Sequence, residues 1–409
     1  MTYLAPEAIG FRDDAMLDAT GRLRVSGNFP MFDNSNQYGI NTRDWVGQTV
    51  GTGVQTHLPN EAALLVSTGG TASGASVIRQ TRLNWRCFPG RSSFLYICGL
   101  LDLPKANVIR RVGYYDAGDG IFIEVNSTDV RFVKRTSISG TPSDSLFVVQ
   151  ADWNIDKFDG TGPSGITLDL TKYQTFFFDI MYTSFGQVRC GFVIEGKHYI
   201  AHEFHSGNSA LSTLWKTGNL PIRGEIFNSG TAASATAIKF RGSALQIEGG
   251  TGELNRGYLN TGTTGAVKTA VTTRRPVLSI RAKDLLNGLP NRGWVVPYDF
   301  SLLATTNDAF YEVLVGATLT GASWTSAATD SCGEYDISAT ALSGGLRVLS
   351  GFLVAGQESI ASVMASNLID NYPTSADSLL GTQTVYTIAV TSFSGTSNVS
   401  AALNWREIY

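Results

Sequence analysis

The densest grouping of side chains able to ligate a metal or move a proton is EGKHYIAHEFH (195–205), with His198, His202, His205, Glu195 and Glu203. Imidazole and carboxylate are the ligands zinc takes. The spacing argues against a metal: a metalloprotease helix needs Glu directly after its first His, so that the base faces the metal-bound water, and Tyr199 fills that place. Read as a strand, the segment puts His198 and His202 on one face with Ile200 and Phe204, and Glu203 and His205 on the other. Hydrogen-bonded structural histidines are the better reading, and neither a metal nor a cofactor is expected.

Two oxygen-rich runs have the atoms calcium uses: Asp116, Asp119 and Glu124 in YYDAGDGIFIE, and Asn154, Asp156 and Asp159 in WNIDKFDGTGPSG. Neither has EF-hand spacing, and Asp-Gly is ordinary turn vocabulary, so turns are favoured over ion sites. No G-x-S-x-G elbow, phosphate-cradling loop or dinucleotide fingerprint occurs, so no catalytic residue is assigned and a non-enzyme is expected. Among the aromatics Trp45, Trp85, Trp153, Trp215, Trp294, Tyr114 and Tyr115, core packing is the favoured role. Tyr115 and Trp153 are the candidate glycan or interface rings, because both adjoin polar turns.

The elements that would carry these side chains are strands. From about Arg43 to Glu248, short runs rich in Val, Ile, Phe, Tyr and Thr alternate with Gly, Asp, Asn and Ser clusters. In SSFLYICGLL, Phe94, Tyr96 and Cys98 share one side and Leu95 and Ile97 the other. GIFIEV and DVRFVKR form a hairpin across Asn126–Asp129, and YQTFFFDIMY pairs with QVRCGFVIEG. The Gly/Thr-rich stretch 249–275 reads as a linker, and strand-like runs resume over 276–409, with one short helix expected in QESIASVMASNLID. Residues 1–42 read as an extended N-terminal arm, whose Phe11, Leu17, Leu23, Val25, Phe29, Met31 and Phe32 are expected to dock on the body or on a neighbouring subunit. The fold class is therefore all-β: a jelly-roll-like antiparallel β-sandwich (43–248) with an N-terminal arm and a second, C-terminal β domain.

Bulk properties narrow the partners. Hydrophobic residues make up 43% and charged residues 16% of the 409, against roughly 25% charged in ordinary soluble domains, so the surface tolerates close protein contact. A net charge of −3 leaves no footprint for nucleic acid, and the basic spots Lys105, Arg110–Arg111 and Arg274–Arg275 read as solvated strand ends or interfaces. No run of about 18 apolar residues spans a membrane. The N-terminal segment lacks a basic-then-apolar leader, so synthesis without translocation is expected. Cys87, Cys98, Cys190 and Cys332 show no metal or redox spacing and are expected as free thiols.

The blocks FRDDAMLDATGRLRVSGNFPMFDNSNQYG, RVGYYDAGDGIFIEV, VRFVKRTSISG, WNIDKFDGTGPSGITLDLTK, GFVIEGKHYIAHEFH and NLPIRGEI resemble a family of virion structural proteins of tailed bacteriophages, over about Phe11 to Glu248. By looser analogy they are similar to lectin/laminin-G jelly rolls. The resemblance implies a virion protein made in the host cytoplasm, a capsid decoration, neck or tail accessory; the expected mechanism is assembly with itself, as a trimer, and with other capsid, neck or tail proteins. The alternative is a tail-fibre protein whose C-terminal domain reads host surface glycan.

Overall fold

A computed structural model of the chain describes residues 17, 18, 23, 26–182, 186–208, 213, 215–249, 257–265, 268–271, 273–361 and 374–409. Two compact units divide it, Met1–Gly252 and Glu253–Tyr409. Among the described residues there is no α-helix, and none of the helices is long and apolar enough to cross a membrane.

Unit 1 begins with β1 (Asn28–Ser35), β2 (Trp45–Val50), β3 (Val54–Leu58), β4 (Ala63–Ser67), β5 (Ser76–Thr81) and β6 (Trp85–Arg86). Then come β7 (Ser92–Leu100), β8 (Val108–Tyr115), β9 (Gly120–Val125), β10 (Val130–Thr136), β11 (Ser143–Val149) and β12 (Gln174–Met181). β13 (Gln187–Ile194), β14 (Lys197–Phe204), β15 (Asn219–Leu220), β16 (Ile222–Asn228) and β17 (Ala237–Glu248) complete it. One sheet runs β14-β13-β12-β7-β17-β4-β3, and the facing sheet runs β11-β10-β9-β8-β16-β5-β2. All pairings are antiparallel and consecutive strands repeatedly cross between sheets, which makes the unit a jelly-roll-like sandwich.

Alternation decides what the sandwich buries. On β12, Phe176, Phe178 and Ile180 point between the sheets, where Phe132 of β10 meets Phe178 and Phe192 at 6.3 Å. The expected hairpins form: β9 pairs with β10, β12 with β13, and β13 with β14.

The arm needs correction. From Asn28 the chain is β1, hydrogen-bonded to β17 of its own sheet, because β4 uses only the first part of β17 and leaves Gly242–Glu248 an open edge. Phe32 is buried against Trp85 (4.9 Å) and Trp45 (5.9 Å), so it fills this unit's core and has no apolar surface left for a neighbour. Phe29 is exposed and Met31 half-buried. Leu17 and Leu23 form an isolated antiparallel bridge, and Phe11 and Val25 lie outside the described residues.

Unit 2 contains β18 (Tyr258–Thr263), β19 (Lys268–Val271), β20 (Arg275–Ala282), β21 (Leu285–Leu286), β22 (Leu289–Pro290), β23 (Trp294–Ala304) and β24 (Ala309–Thr320). It continues with β25 (Thr325–Ser326), β26 (Gly333–Asp336), β27 (Ala341–Leu353), β28 (Glu358–Ala361), β29 (Tyr386–Ser392) and β30 (Ser397–Ile408). Sheets β18-β30-β23-β28 and β25-β26-β20-β29-β24-β27 enclose a core that includes Leu278, Ile280, Phe300, Tyr386, Leu403 and Trp405.

Two expectations fail here. The supposed linker holds β18 and β19, both paired with β30, because a ladder on β30 satisfies their backbone without large side chains, and Gly262 packs where a Cβ would lie 3.3 Å from the Trp405 ring. Residues 358–361 of the supposed helix are β28, drawn into the ladder of β23; Val363, Met364 and Leu368 lie outside the described residues.

Candidate binding surfaces

The two rings singled out for glycan contact are buried. Trp153 is 2% exposed, packed on Phe132 (4.8 Å) and Phe192 (5.9 Å), and Tyr115 is fully buried against Phe122 (4.4 Å). A ring that stacks on a sugar needs an open face, so neither is a platform. The polar turns beside them satisfy themselves instead. Asp116 accepts from the backbone N–H of Gly118 (2.7 Å) and Asp119 (2.9 Å), Asp119 accepts from Ser137 (2.9 and 2.8 Å), and Asp156 accepts from Phe158 (2.9 Å) and Ser164 (2.8 Å). These carboxylates hold turns closed. Trp45, Trp85, Trp215 and Tyr114 are core residues too.

The histidines diverge for a geometric reason. A bulge in β14 lets Ile200 pair with Gly191 and His202 with Cys190, so the alternation slips and His202 leaves the face of His198. His198 Nε2 lies 2.9 Å from Tyr96 Oη, while His205 Nδ1 lies 2.7 Å from Gln187 Nε2. His202 Nδ1 accepts from the Asn154 N–H at 3.3 Å, and burial, assisted by His205, brings its pKa down to about 4. Among the described residues no three His, Cys, Asp or Glu side chains are grouped to hold a metal.

The basic spots are consumed internally. Arg110 is fully buried, donating to the carbonyls of Leu101 and Leu103, and Arg274 bonds Glu312 at 2.8 Å. On the outward face of the β11–β2 sheet, Arg111 joins Glu124 (2.6 Å) and Glu225 (2.7 Å), Arg131 joins Glu124 (2.6 Å), Arg223 joins Glu225 (2.6 Å) and Arg135 joins Asp144 (2.7 Å). The guanidiniums of Arg135 and Arg223 lie over Tyr115 and that of Arg111 over Phe122, roofing the rings with charge. Burial works against ionisation of Glu225, yet Arg223 and Arg111 hold its carboxyl below the usual range.

The outward face of the other sheet carries a cleft. Strand register sets two rows side by side: Asp33, Ala244, Tyr96 and Phe177, then Ser35, Gly242, Cys98 and Thr175. The smallest side chains fall in the middle, so Gly242 and Ala244 floor a trough of about 430 Å³ between Asp33 and Ser35 on one side and Tyr96, Cys98 and Thr175 on the other. Tyr96 is held from behind by Phe94 (4.7 Å) and His198.

Unit 2 presents a different surface. β27 is the edge strand of its sheet and most of its side chains are solvent-exposed. Phe352 (69% exposed) lies 5.7 Å from Phe310 and 5.9 Å from Phe393 (61% exposed), with Arg347 over Phe310 and bonded to Glu312. Leu346 and Val354 extend this apolar edge, and Leu285 and Leu289 protrude from the β21–β22 hairpin.

No known protein family matches the chain, and no curated protein does. Solved structures are similar to about half of it. They include a carbohydrate esterase of the Shiga toxin-encoding bacteriophage phi24B (10% identity, 54% of this chain and 100% of that one, TM-score 0.33). A Bacillus licheniformis β-glucanase is similar at 11% identity (54% and 98%, TM-score 0.35), and lectin I-B4 of Griffonia simplicifolia at 10% (55% and 100%, TM-score 0.31). At these values no residue correspondence passes from them to this chain.

Neither surface was signalled as a site by the sequence. The trough is assembled by four strands far apart in the chain, and its floor is recognisable only once register sets glycine and alanine between larger neighbours. The Phe310, Phe352 and Phe393 patch had a weak signal, apolar residues on both faces of FYEVLVGATLT and LRVLSGFLVAG.

Proposed function

We propose that the protein is a non-enzymatic structural component of the exterior of a bacteriophage particle, as capsid decoration, neck or tail accessory, and that it works by assembling with copies of itself. The open apolar edge of unit 2 carries this reading. A long edge strand that exposes Leu346 and Phe352 is a liability for a free monomer, and proteins normally blunt such edges with charge, proline or a cover. β27 has one charged side chain, Arg347, and that charge is bonded to Glu312 of its own sheet. Covering Phe352 and Phe393 contributes roughly 1.5–3 kcal/mol each. Low charge over the whole chain and the resemblance of about Phe11 to Glu248 to virion proteins support the same reading. A closed ring, with a trimer the expected state, covers the patch on every copy, whereas an open chain of copies would grow into fibres.

Analytical ultracentrifugation of the full chain at micromolar concentration, with mass spectrometry of purified particles, tests it. A closed oligomer present in particles is expected. A monomer at all concentrations, or a protein missing from particles, sinks the proposal.

A further inference from the structure

The trough on the β1, β17, β7 and β12 face has a property its surroundings lack. Nearby polar groups on that face are spent on one another: Asp179 accepts from Ser92, Arg189 pairs with Glu203 at 2.8 Å, and Gln246 accepts from Asn28 at 3.3 Å. Around the trough, among the described residues, the carboxylate of Asp33 and the hydroxyls of Ser35 and Thr175 make no hydrogen bond. Three side chains with unspent bonding capacity surround a floor of Gly242 and Ala244, beside a tyrosine fixed by His198 and Phe94.

Those features select a chemistry. The volume lies within the roughly 300–1,000 Å³ usual for small-molecule sites. A lone carboxylate accepts from two adjacent hydroxyls, the Ser and Thr hydroxyls both donate and accept, and an aromatic wall next to an alanine floor suits the C–H face of a sugar ring. No Lys or Arg lines the trough, so an acidic sugar would meet Asp33 unopposed. We propose that this trough is a binding site for a neutral saccharide, one pyranose ring resting on Ala244 and Tyr96 with its hydroxyls donating to Asp33. The site lies in unit 1, whereas the sequence placed a glycan role in the C-terminal domain, and it stands whether or not unit 2 drives assembly.

Titration calorimetry and saturation-transfer NMR on the full chain, using cellobiose, maltose, lactose and chitobiose against sialyllactose and galacturonate, provide the test. At least one neutral disaccharide binds saturably and the acidic sugars do not. Asp33→Asn weakens binding about ten- to hundredfold, as expected on losing the charge from a charge-assisted hydrogen bond. Ala244→Trp fills the floor and abolishes binding; because Asp33 is exposed, its variant keeps the fold and decides the matter if Ala244→Trp does not express. Failure of every neutral sugar to bind, preference for an acidic one, or binding unchanged in Asp33→Asn overturns the proposal.

Discussion

In unit 1 the outward face of the β11–β2 sheet has buried rings, Tyr115 and Phe122, under a lattice of Arg111, Arg135 and Arg223 with Glu124, Glu225 and Asp144. In unit 2 the outward face of the β25–β27 sheet ends in rings with no such cover, Phe352 and Phe393. Both sheets lay aromatic side chains outward; unit 1 closes over Tyr115 and Phe122 and leaves Phe147 of its edge strand β11 half open beside Arg131. A desolvated ion-pair lattice adds little net stability compared with apolar packing, so its presence in unit 1 is better understood as a seal over the middle of the face, where Tyr115 and Phe122 are closed to apolar association. The open rings of unit 2 have the opposite consequence. On the function proposed above, association would run chiefly through unit 2.

The largest way to break this contrast is to unseal unit 1. Glu124→Ala leaves Arg111 and Arg131 facing a buried gap and should cost about 3–5 kcal/mol, read as an earlier denaturant transition of unit 1 with that of unit 2 unmoved. A change below about 1 kcal/mol would mean the lattice is not load-sharing. Next comes the open edge: Phe352→Ser with Phe393→Ser should dissociate the oligomer, raising its dissociation constant at least tenfold while leaving the melting of a dilute sample unchanged. An unaltered sedimentation profile would move the interface elsewhere.

Acid should separate the units as well. Glu225 and Asp144 have folded pKa values below the ordinary range, so their stabilisation is complete above the unfolded carboxylate value of about 4 and is lost as the pH falls below it. His202 acts earlier. Its neutral form belongs to the fold, with a pKa of about 4 against about 6.5 when unfolded, so stability present above pH 6.5 declines between about 6.5 and 4. Melting curves from pH 7.5 to 3.5 should show the decline, and His202→Gln should flatten its upper part; an identical profile in the variant would rule His202 out. The smallest effect is in unit 2, where Gly262→Ala puts a Cβ 3.0 Å from Tyr335 and should cost about 1–3 kcal/mol of overpacking, measured by thermal unfolding. A neutral result there would show that β18 shifts freely.

Strand content and the three central hairpins were legible because alternation and turn residues are local signals, as in Ile121, Ile123 and Val125 against Phe122 and Glu124. Other features depend on residues that meet only in the fold. Arg111 and Glu225 are 114 positions apart, and nothing in either neighbourhood announces the other. The bulge that separates His198 from His202 is one extra residue in a run that otherwise alternates. β18 and β19 were hidden because hydrogen bonding to β30, not side-chain hydrophobicity, makes them strands. Trp153 and Tyr115 misled for a related reason: a polar turn beside a ring says where the chain bends, and leaves the direction of the ring unspecified.

The four thiols are free, and three of them, Cys87, Cys190 and Cys332, are buried and pushed to higher pKa chiefly by loss of hydration, which keeps them protonated and slow to react. Cys98 is the half-buried one, and it lies in the wall of the trough. The native chain thus carries a single preferred site of attack for a thiol reagent, and an occupant of the trough would slow that reaction, so occupancy can be read from the rate at which Cys98 is modified with no engineered cysteine.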